Sequence, residues 1–421
     1  MKTILLFGAG KSATVLIDYL INECAANKWK FIIADANKAQ ILAKTNHSTI
    51  AEACAVDITD DDKRAALIER AHVVISMMPP ALHFLIAKDC VEYRKHLLTA
   101  SYLDEKMKSL KDEINNRKLF FLCEMGLDPG IDHMSAMKLI DEIHAEGHTI
   151  TAFKSHCGGL IAPESDNNPW HYKISWNPRN VVLAGKAGAI FKQEGIEKNI
   201  TYSNLFTNCE QVHIDGIGSL AIYPNRDSLS YIPIYKLHKA LTFKRTTLRY
   251  ASFCKGWDAI VQANLCDETN VLPTNEPISY KQWSIAIKPF ITEEVEPLLD
   301  YLGLFSDEKL PTNANTSADV MQYLLENKLA MSPTDKDMIV MLHEIEHSGG
   351  KIESSLLVKG EDHLRTAMAK TVGLPLGIAA KLILEGALTL KGLHIPIHKE
   401  IYLPVLAELN KLGVQFNEVK K

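Results

Sequence analysis

The sequence predicts an α/β protein in which a doubly wound parallel sheet is followed by a mixed α/β substrate domain with a small helical insert. Three features support this prediction: short, continuous apolar runs that alternate with helix-like stretches, a glycine-rich turn after the first run, and polar, glycine-rich loops beyond residue 125. Continuous apolar runs are typical of parallel strands that helices cover on both faces. The 421 residues are enough for two or three domains.

Composition and charge favour a small-molecule partner. Hydrophobic residues make up 47% and charged residues 23%, and 46 Lys and Arg against 51 Asp and Glu leave a net charge of −5. This mild charge argues against nucleic acid or an anionic membrane as the main partner, and we expect no stretch of the roughly 18 uncharged apolar residues that a membrane span needs. The eight cysteines form no CxxC pair, so we expect free thiols, no metal site and a cytoplasmic location. The apolar run at the N-terminus is too short for a signal peptide.

The apolar runs of the first domain, residues 1–125, have the spacing of βαβ units. Right-handed crossovers between such strands produce a doubly wound sheet. The predicted strands are Ile4–Phe7, Phe31–Ala34, Ala53–Val56, Val73–Met77, Leu97–Ala100 and Leu119–Leu122.

The turn Gly8-Ala9-Gly10-Lys11-Ser12-Ala13 is a GxGxxA motif placed between the first strand and a helix. Gly8 allows the tight turn, Gly10 leaves room for a pyrophosphate, and Ala13 allows close packing of helix and strand. A triphosphate-binding loop would need a glycine where Leu5 stands. The motif therefore predicts a Rossmann-type domain that binds a dinucleotide at the helix N-terminus.

Residues at the ends of the following strands are candidates for contacts with the dinucleotide. Asp35 ends the second strand, where a carboxylate accepts the ribose hydroxyls and repels a 2′-phosphate, so NAD is favoured over NADP. Lys38 lies close enough in sequence to weaken that repulsion. Asp57, after the third strand, is a weaker candidate for a contact with the adenine. Ser76 ends the fourth strand and is expected to lie in the crevice that the strand ends of such a sheet form.

The rest of the chain predicts a second domain over residues 126–255 and 331–364, with a helical insert over 256–330. The turn cluster Gly126–Gly130 marks the boundary, and Asp132 is predicted to cap the next helix. Proline-bearing connectors, Leu272–Asn275 and Leu310–Asn313, border helices of the insert. The last predicted strands form a hairpin, Met338–Leu342 and Ile352–Val358, and the chain from Leu364 to its end reads as helical.

Dense polar segments of the second domain point to an anionic substrate. Arg226 and Arg249 stand in such segments, and a guanidinium group can hold a carboxylate with two parallel hydrogen bonds.

Seven segments, in this order, make the sequence resemble the glutamate-forming saccharopine dehydrogenases, also called saccharopine reductases, and the C-terminal half of the aminoadipic semialdehyde synthases. The resemblance spans nearly the whole chain. The segments are Thr99–Tyr102, Gly126–Met134, Cys157–Leu160, Ala162–Glu164, Tyr223–Asp227, Thr247–Tyr250 and Ala367–Pro375.

The resemblance implies reversible oxidation of saccharopine to L-glutamate and 2-aminoadipate 6-semialdehyde by NAD or NADP, in lysine metabolism. It also implies a homodimer and a C-terminal return, residues 365–421, to the first domain. The family positions considered as proton carriers match Tyr102, Asp128 and Cys157. Those that bind substrate match Ser101, Tyr102, Arg226, Thr247 and Arg249. Those that approach the cofactor match Leu127, Asp128, Pro129 and Ser175.

Some residues carry an alternative, structural interpretation. Asp128 precedes a proline and could simply start a turn, Cys157 could be a small buried residue, and Tyr102 could only pack against the nicotinamide ring. His133 and His156 are predicted to be structural.

The sequence also departs from the family. NADP-using members carry an arginine after the second strand, whereas Asp35 stands in this region, which favours NAD and lysine breakdown. We expect any lysine-ketoglutarate reductase partner to be a separate polypeptide.

Two other functions remain open. One is a carboxynorspermidine- or homospermidine-type imine reductase of polyamine metabolism, whose substrates carry fewer carboxylates. The other is a catalytically silent dinucleotide-binding subunit. Arg226 and Arg249 favour saccharopine as the substrate over a polyamine precursor. The candidate proton carriers argue against a catalytically silent subunit.

Overall fold

The structure, a computed structural model, describes residues 1–272 and 277–421 and divides into two compact units. The first unit comprises Met1–Ala145 and Leu364–Gln415, and the second comprises Glu146–His363 and Phe416–Lys421. Residues 273–275 of one predicted connector lie outside the described residues.

The strands of the described residues are numbered in chain order. They are β1 (Thr3–Phe7), β2 (Lys30–Asp35), β3 (Ala51–Ala55), β4 (Val73–Ser76), β5 (His96–Thr99), β6 (Phe120–Leu122), β7 (Ile150–Ile161), β8 (Ala189–Gln193), β9 (Ile196–Ile200), β10 (Glu210–Ile214), β11 (Gly218–Pro224), β12 (Arg226–Asp227), β13 (Thr242–Arg249), β14 (Asp337–His347), β15 (Gly350–Lys359), β16 (Gly392–His394) and β17 (Phe416–Lys420).

The α-helices are numbered in the same way, and short 3₁₀ turns connect some of them. They are α1 (Thr14–Asn27), α2 (Lys38–Lys44), α3 (Asp61–Arg70), α4 (His83–Glu92), α5 (Glu105–Ser109), α6 (Lys111–Asn116), α7 (Ile131–Ala145), α8 (Pro178–Val182), α9 (Tyr231–Ile234), α10 (Ala251–Gln262), α11 (Tyr280–Trp283), α12 (Glu296–Leu302), α13 (Ser317–Lys328), α14 (Ala367–Glu385) and α15 (Lys399–Lys411).

The first unit contains a parallel sheet with the strand order β16-β6-β5-β4-β1-β2-β3. This order confirms the predicted doubly wound sheet, and β1 to β6 match the predicted strands to within a few residues. Strand β16 was not predicted; it has three residues and pairs Gly392 with Phe120 of β6. So short a strand, beside Pro396, carries too little apolar pattern to be recognised.

Helix α14 packs closely against α1 at two glycines. A Cβ atom on Gly373 would come within 2.9 Å of the Leu16 side chain, and one on Gly377 within 2.6 Å of Tyr19. By length and composition this 19-residue helix could cross a membrane, although it contains Lys370 and Lys381, and 72% of its 18-residue apolar window is buried within the protein. Its apolar composition is that of a helix in the core of the first unit.

The first unit extends beyond the predicted boundary at residue 125 because α7 packs on α15. The Tyr402 hydroxyl of α15 donates a hydrogen bond to Asp141 of α7, with the oxygens 2.6 Å apart. The C-terminal return ends at Gln415, since the last residues leave this unit as β17. The prediction of helix up to the end of the chain is therefore wrong for Phe416–Lys420.

The second unit is built on a mixed sheet with the path β10-β11-β13-β7-β14-β15-β17, from which β8, β9 and β12 branch. Strands β13 and β7 are parallel, whereas β14 pairs antiparallel with both β7 and β15. The predicted hairpin is confirmed, and β17 extends the sheet by pairing with β15.

The helices predicted as an insert share the core of the second unit. The fully buried Trp170 contacts Trp257 of α10, and its indole nitrogen donates to the Leu298 carbonyl of α12 at 2.7 Å. A Cβ atom on Gly256 would lie 2.6 Å from the Trp170 ring. Residues 256–330, where described, are therefore part of this unit.

Candidate active site

The glycine turn of the first unit has the geometry that dinucleotide binding requires. Gly8 has a φ of +96°, and a Cβ atom there would come within 2.9 Å of the Met77 carbonyl oxygen. A Cβ atom on Gly10 would meet nothing within 4 Å, so space is open beside this backbone. Ala13 is buried, and the turn leads through Lys11–Ala13 into α1. The open backbone at a helix N-terminus fits a pyrophosphate group.

Asp35 lies at the end of β2 against this turn. One carboxylate oxygen accepts the Ala9 amide hydrogen at 2.8 Å, and the other accepts that of Asn37 at 2.9 Å. Lys44 donates to the Gly10 carbonyl, and burial lowers the pKa of Lys44 to about 8, against the attraction of Asp35. A carboxylate fixed here occupies the position expected for a ribose contact.

Asp57 has a local role in the structure. It is exposed after β3, and one of its oxygens accepts bonds from the Thr59 amide at 2.9 Å and the Thr59 hydroxyl at 2.7 Å. These hydrogen bonds lower the pKa of Asp57. Its contact with the adenine side stays a prediction.

A histidine that the sequence analysis missed joins two strand-end serines. His83 begins α4 and is only 6% exposed. Its Nδ1 lies 2.7 Å from the Ser76 hydroxyl, and its Nε2 lies 2.7 Å from the Ser101 hydroxyl and 3.3 Å from that of Thr99. Burial lowers the pKa of His83 to about 4. The sequence could have indicated His83 by its position, because it begins the helix that follows the loop after β4.

The loop Gly126–Gly130 is fixed by its own backbone. The Gly126 amide donates to the Pro129 carbonyl at 2.9 Å, and the bond between Asp128 and Pro129 is cis. Gly130 has a φ of +146°, and a Cβ atom there would lie 2.1 Å from the Gly126 oxygen. Only glycine fits at this position, so the loop presents Leu127 to Pro129 in one conformation.

Tyr102 and Asp128, two of the predicted proton carriers, lie close together in the first unit, and their role in proton transfer stays a prediction. The Tyr102 hydroxyl donates to an Asp128 carboxylate oxygen at 3.4 Å. Both residues are partly exposed, and the backbone beside them is joined by the Glu124 amide, which donates to the Ser101 carbonyl at 2.9 Å. The pair can pass a proton between a phenol and a carboxylate.

His133 lies inside the first unit, as predicted for a structural residue. It is fully buried, and its Nε2 lies 2.8 Å from a Glu124 oxygen. Glu124 has a φ of +58°, and its other oxygen accepts the Leu103 amide hydrogen at 3.0 Å. Asp132 lies in the first turn of α7 and accepts the Gly130 amide hydrogen at 2.6 Å, so it stabilises the loop that precedes the helix, and its capping of the helix stays a prediction.

In the second unit, Arg249 is a buried cation at the end of β13. It is 5% exposed, and its guanidinium carbon lies 5.2 Å from the centre of the Tyr172 ring and 5.5 Å from that of Phe253. Its Nη1 donates to the Leu248 carbonyl at 2.8 Å. Its buried Nε has no hydrogen-bond partner among the described residues. An incompletely paired buried cation of this kind favours an anionic ligand that can bind its Nε.

Cys157 and Thr247 are neighbours of this arginine on the sheet. They are paired across β7 and β13, and Thr247 also pairs with Tyr223 of β11. Burial raises the pKa of Tyr223 to about 12, while the nearby Arg249 and a hydrogen bond with Thr247 oppose the rise. Cys157 is buried and lies close enough to Arg249 to contribute to the rise in its pKa. The sheet thus gathers three of the predicted site residues.

Arg226 differs from Arg249 in its environment. It stands on the exposed strand β12, beyond Tyr223, with a φ of +50°. A left-handed backbone at a non-glycine residue is uncommon and often marks a functional loop. The structure does not place Arg226 in the buried cluster, so its substrate contact stays a prediction.

The two remaining candidates of the second unit are buried. Ser175 follows Ile174, whose amide donates to the Leu329 carbonyl at 2.7 Å, and its approach to the cofactor stays a prediction. His156 lies 2.7 Å from the Thr246 hydroxyl and 3.1 Å from a Glu344 oxygen, within the sheet. Burial lowers the pKa of His156, and these contacts fit the predicted structural role.

Comparisons with known proteins decide the family. The family model described as "Saccharopine dehydrogenase NADP binding domain" matches residues 4–121, and "Saccharopine dehydrogenase C-terminal domain" matches residues 126–414. This chain belongs to the saccharopine dehydrogenase family. The resemblance inferred from the sequence segments is confirmed, and the first unit carries a nicotinamide-dinucleotide-binding domain.

Full-length relatives agree with this assignment. A "Saccharopine dehydrogenase [NADP(+), L-glutamate-forming]" of Saccharomyces cerevisiae is 32% identical and is aligned over 99% of both chains. The crystal structure of an apo saccharopine dehydrogenase (L-Glu forming) from the same yeast superposes with a TM-score of 0.89 at 31% identity, covering 100% of both chains.

A second group of relatives is longer. The mitochondrial alpha-aminoadipic semialdehyde synthase of Rattus norvegicus is 33% identical over 99% of this chain but only 47% of its own length. The chain thus spans about half the length of these relatives. The NADP in the family-model description and in the yeast name favours NADP, which opposes the preference for NAD inferred from Asp35.

Proposed function

We propose that this protein oxidises saccharopine reversibly at its CH–NH bond, with a nicotinamide dinucleotide, to L-glutamate and 2-aminoadipate 6-semialdehyde in lysine metabolism. The observation that carries the proposal is Arg249, a buried guanidinium whose Nε has no partner among the described residues. The names of relatives aligned over their full length support the reaction.

The buried guanidinium group of Arg249 supports a substrate that carries at least one carboxylate. The rings of Tyr172 and Phe253, whose centres are 5.0 Å apart, both lie on one side of its guanidinium group, so an anion would have to approach from another side. A carboxylate that binds Nε forms a charge-assisted hydrogen bond in a site of low dielectric constant. Thr247 and Cys157 on the same sheet add a hydroxyl and a thiol beside it.

Tyr102 and Asp128 supply the proton transfers. The secondary ammonium of saccharopine must lose a proton before oxidation, and the later addition of water to the imine needs a base. When bound, the dinucleotide accepts the hydride from the carbon beside that nitrogen. The Asp128 carboxylate, which accepts the Tyr102 hydroxyl hydrogen, is suited to take these protons.

The turn Gly8–Ala13 and Asp35 hold the coenzyme in this proposal, and we propose NAD as the preferred form. The Asp35 carboxylate is fixed against Ala9 and would repel a 2′-phosphate. The names of the yeast relatives favour NADP, and Lys44 and Lys38 provide positive charge nearby. The preference between NAD and NADP therefore depends on whether the Asp35 carboxylate or one of the two lysines faces the 2′ position of the ribose.

The test is the absorbance of reduced nicotinamide when purified protein is mixed with saccharopine and with NAD or NADP in turn. We expect turnover with saccharopine, release of glutamate in equal amount, and a higher kcat/KM with NAD. A carboxynorspermidine-type amine serves as the comparison substrate. Turnover of that amine alone, or of neither substrate, would contradict the proposal.

The predicted cytoplasmic location, the homodimer and a separate reductase partner stay predictions, as does the direction of lysine breakdown.

A further inference from the structure

His83 connects the carboxyl ends of two neighbouring strands in the first unit. Strand β4 ends at Ser76, and Ser101 follows shortly after β5, which pairs with β4 in parallel. His83 lies 2.7 Å from the hydroxyl of each serine. We propose that His83 is a positioning residue that directs the Ser101 hydroxyl to a substrate carboxylate, an inference that rests on the saccharopine function proposed above.

The chemistry of a neutral imidazole fixes the direction of these hydrogen bonds. Burial lowers the pKa of His83 to about 4, against the attraction of Asp104, so the ring is neutral at pH 7. A neutral imidazole has one nitrogen that donates and one that accepts. Because His83 has a serine on each side, the direction of its hydrogen bond with one serine hydroxyl determines the direction of its hydrogen bond with the other.

The substrate determines which of the two tautomers is productive. A carboxylate only accepts hydrogen bonds, so Ser101 must donate its hydroxyl hydrogen to it. The Ser101 oxygen then accepts from Nε2–H of His83, and Nδ1 accepts the hydroxyl hydrogen of Ser76. In this chain of hydrogen bonds from Ser76 through His83 to Ser101, the Ser101 hydroxyl is the donor that faces the substrate.

Thr99 fixes the backbone of the same serine. The Ser101 amide donates to the Thr99 hydroxyl oxygen at 3.2 Å. That oxygen lies 3.3 Å from Nε2 of His83, farther than the Ser101 oxygen. Thr99 therefore positions the main chain, whereas His83 determines the rotation of the Ser101 hydroxyl.

The test compares three replacements of His83 that keep different contacts. His83→Gln places an amide near Nε2 and can donate to Ser101, His83→Asn reaches only the Ser76 side, and His83→Phe keeps the shape without polar atoms. We expect His83→Asn and His83→Phe to raise the KM for saccharopine about tenfold, with kcat changed less than about threefold. His83→Gln should recover most of the loss. The dissociation constant of the reduced coenzyme, measured by its fluorescence, should stay within about twofold.

A double variant tests whether the effect passes through Ser101. Ser101→Ala should raise the KM as much as His83→Phe does, and the combined variant should be no worse than Ser101→Ala alone. Additive effects of the two replacements would overturn the proposal. An unchanged KM in His83→Phe, or equal losses of saccharopine and coenzyme affinity, would also overturn it.

His96 is the matched control. It begins β5, burial lowers its pKa to about 4 as well, and its Nδ1 accepts the Phe120 amide hydrogen at 3.1 Å. His96→Asn should change thermal stability without raising the KM for saccharopine. A wild-type protein without saccharopine turnover would refute the proposed function and this inference together, whereas active wild type with unaffected His83 variants would refute only the inference.

Discussion

The two units satisfy their polar groups in opposite ways. In the first unit, His83 joins Ser76 to Ser101, and Tyr102 donates to Asp128. In the second, the buried Nε of Arg249 has no partner among the described residues. In the first unit the hydrogen-bond partners belong to the protein itself, which suits the orientation of the Ser101 hydroxyl and proton transfer by Tyr102 and Asp128. The second has a desolvated cation that gains most from an anionic ligand.

The largest expected effect comes from removing that cation. Arg249→Met should raise the KM for saccharopine about 300-fold, because a buried charge-assisted contact is lost. The free energy of unfolding should not decrease, since an incompletely paired buried charge is replaced by an apolar side chain. Steady-state kinetics and denaturant unfolding measure the two quantities.

Arg245→Met is the control for this experiment. Arg245 is a buried arginine of the same strand, and its guanidinium packs over Tyr231 at 4.6 Å. We expect this variant to lose stability and to keep its KM for saccharopine. If both arginine variants behaved alike, Arg249 would not differ in function from another buried arginine of its strand, and its assignment to substrate binding would be wrong.

The second prediction tests proton transfer in the first unit. Asp128→Asn should lower kcat about 100-fold because the amide cannot take a proton, while coenzyme affinity is retained. Tyr102→Phe should show a smaller decrease. A pH–rate profile of each variant measures the effect, and a wild-type profile in Asp128→Asn would show that Asp128 only shapes the turn.

The third prediction concerns acid stability of the first unit. The pKa of His83 is lowered from 6.5 to about 4 by burial, so the unfolded chain binds this proton first as the pH falls. The stability is therefore retained above about pH 6.5 and lost towards pH 4. Wild type should lose about 2 kcal/mol more than His83→Asn between pH 7 and pH 5. Urea unfolding at both pH values measures this difference, and parallel pH curves would contradict it.

The fourth prediction separates the two coenzymes. Asp35→Ala should raise the ratio of kcat/KM for NADP to that for NAD about tenfold, because repulsion of a 2′-phosphate is removed. Asp57→Ala, at an exposed turn after the next strand, is the control and should leave the ratio unchanged. An unchanged ratio in Asp35→Ala would show that this carboxylate does not select the coenzyme.

The smallest effect is expected for the exposed arginine. Arg226→Ala should raise the KM for saccharopine about fivefold and leave NAD affinity unchanged, because an exposed ion pair contributes little. Equal loss of saccharopine and NAD affinity would count against a substrate role. A KM effect as large as that of Arg249→Met would show that Arg226 is shielded from water when substrate binds.

Strong local patterns were sufficient for much of the fold. The strands β1 to β6 and the turn at Gly8 were predicted, because each parallel strand is a continuous apolar run next to a glycine or polar turn. The strands β16 and β17 were missed. Both are stabilised by pairing with distant strands, β6 and β15, and not by a pattern of their own.

The candidate site divides in the same way. The dinucleotide turn, the candidate residues at strand ends and the likeness to a family could be predicted from the sequence, because they depend on local backbone geometry and on motifs. The folded structure was needed to show that the Nε of the buried Arg249 has no partner among the described residues, that Arg226 is exposed, and that His83 lies between two serines. Burial and hydrogen-bond partners depend on which distant strands and helices surround a side chain, and no short stretch of sequence contains that information.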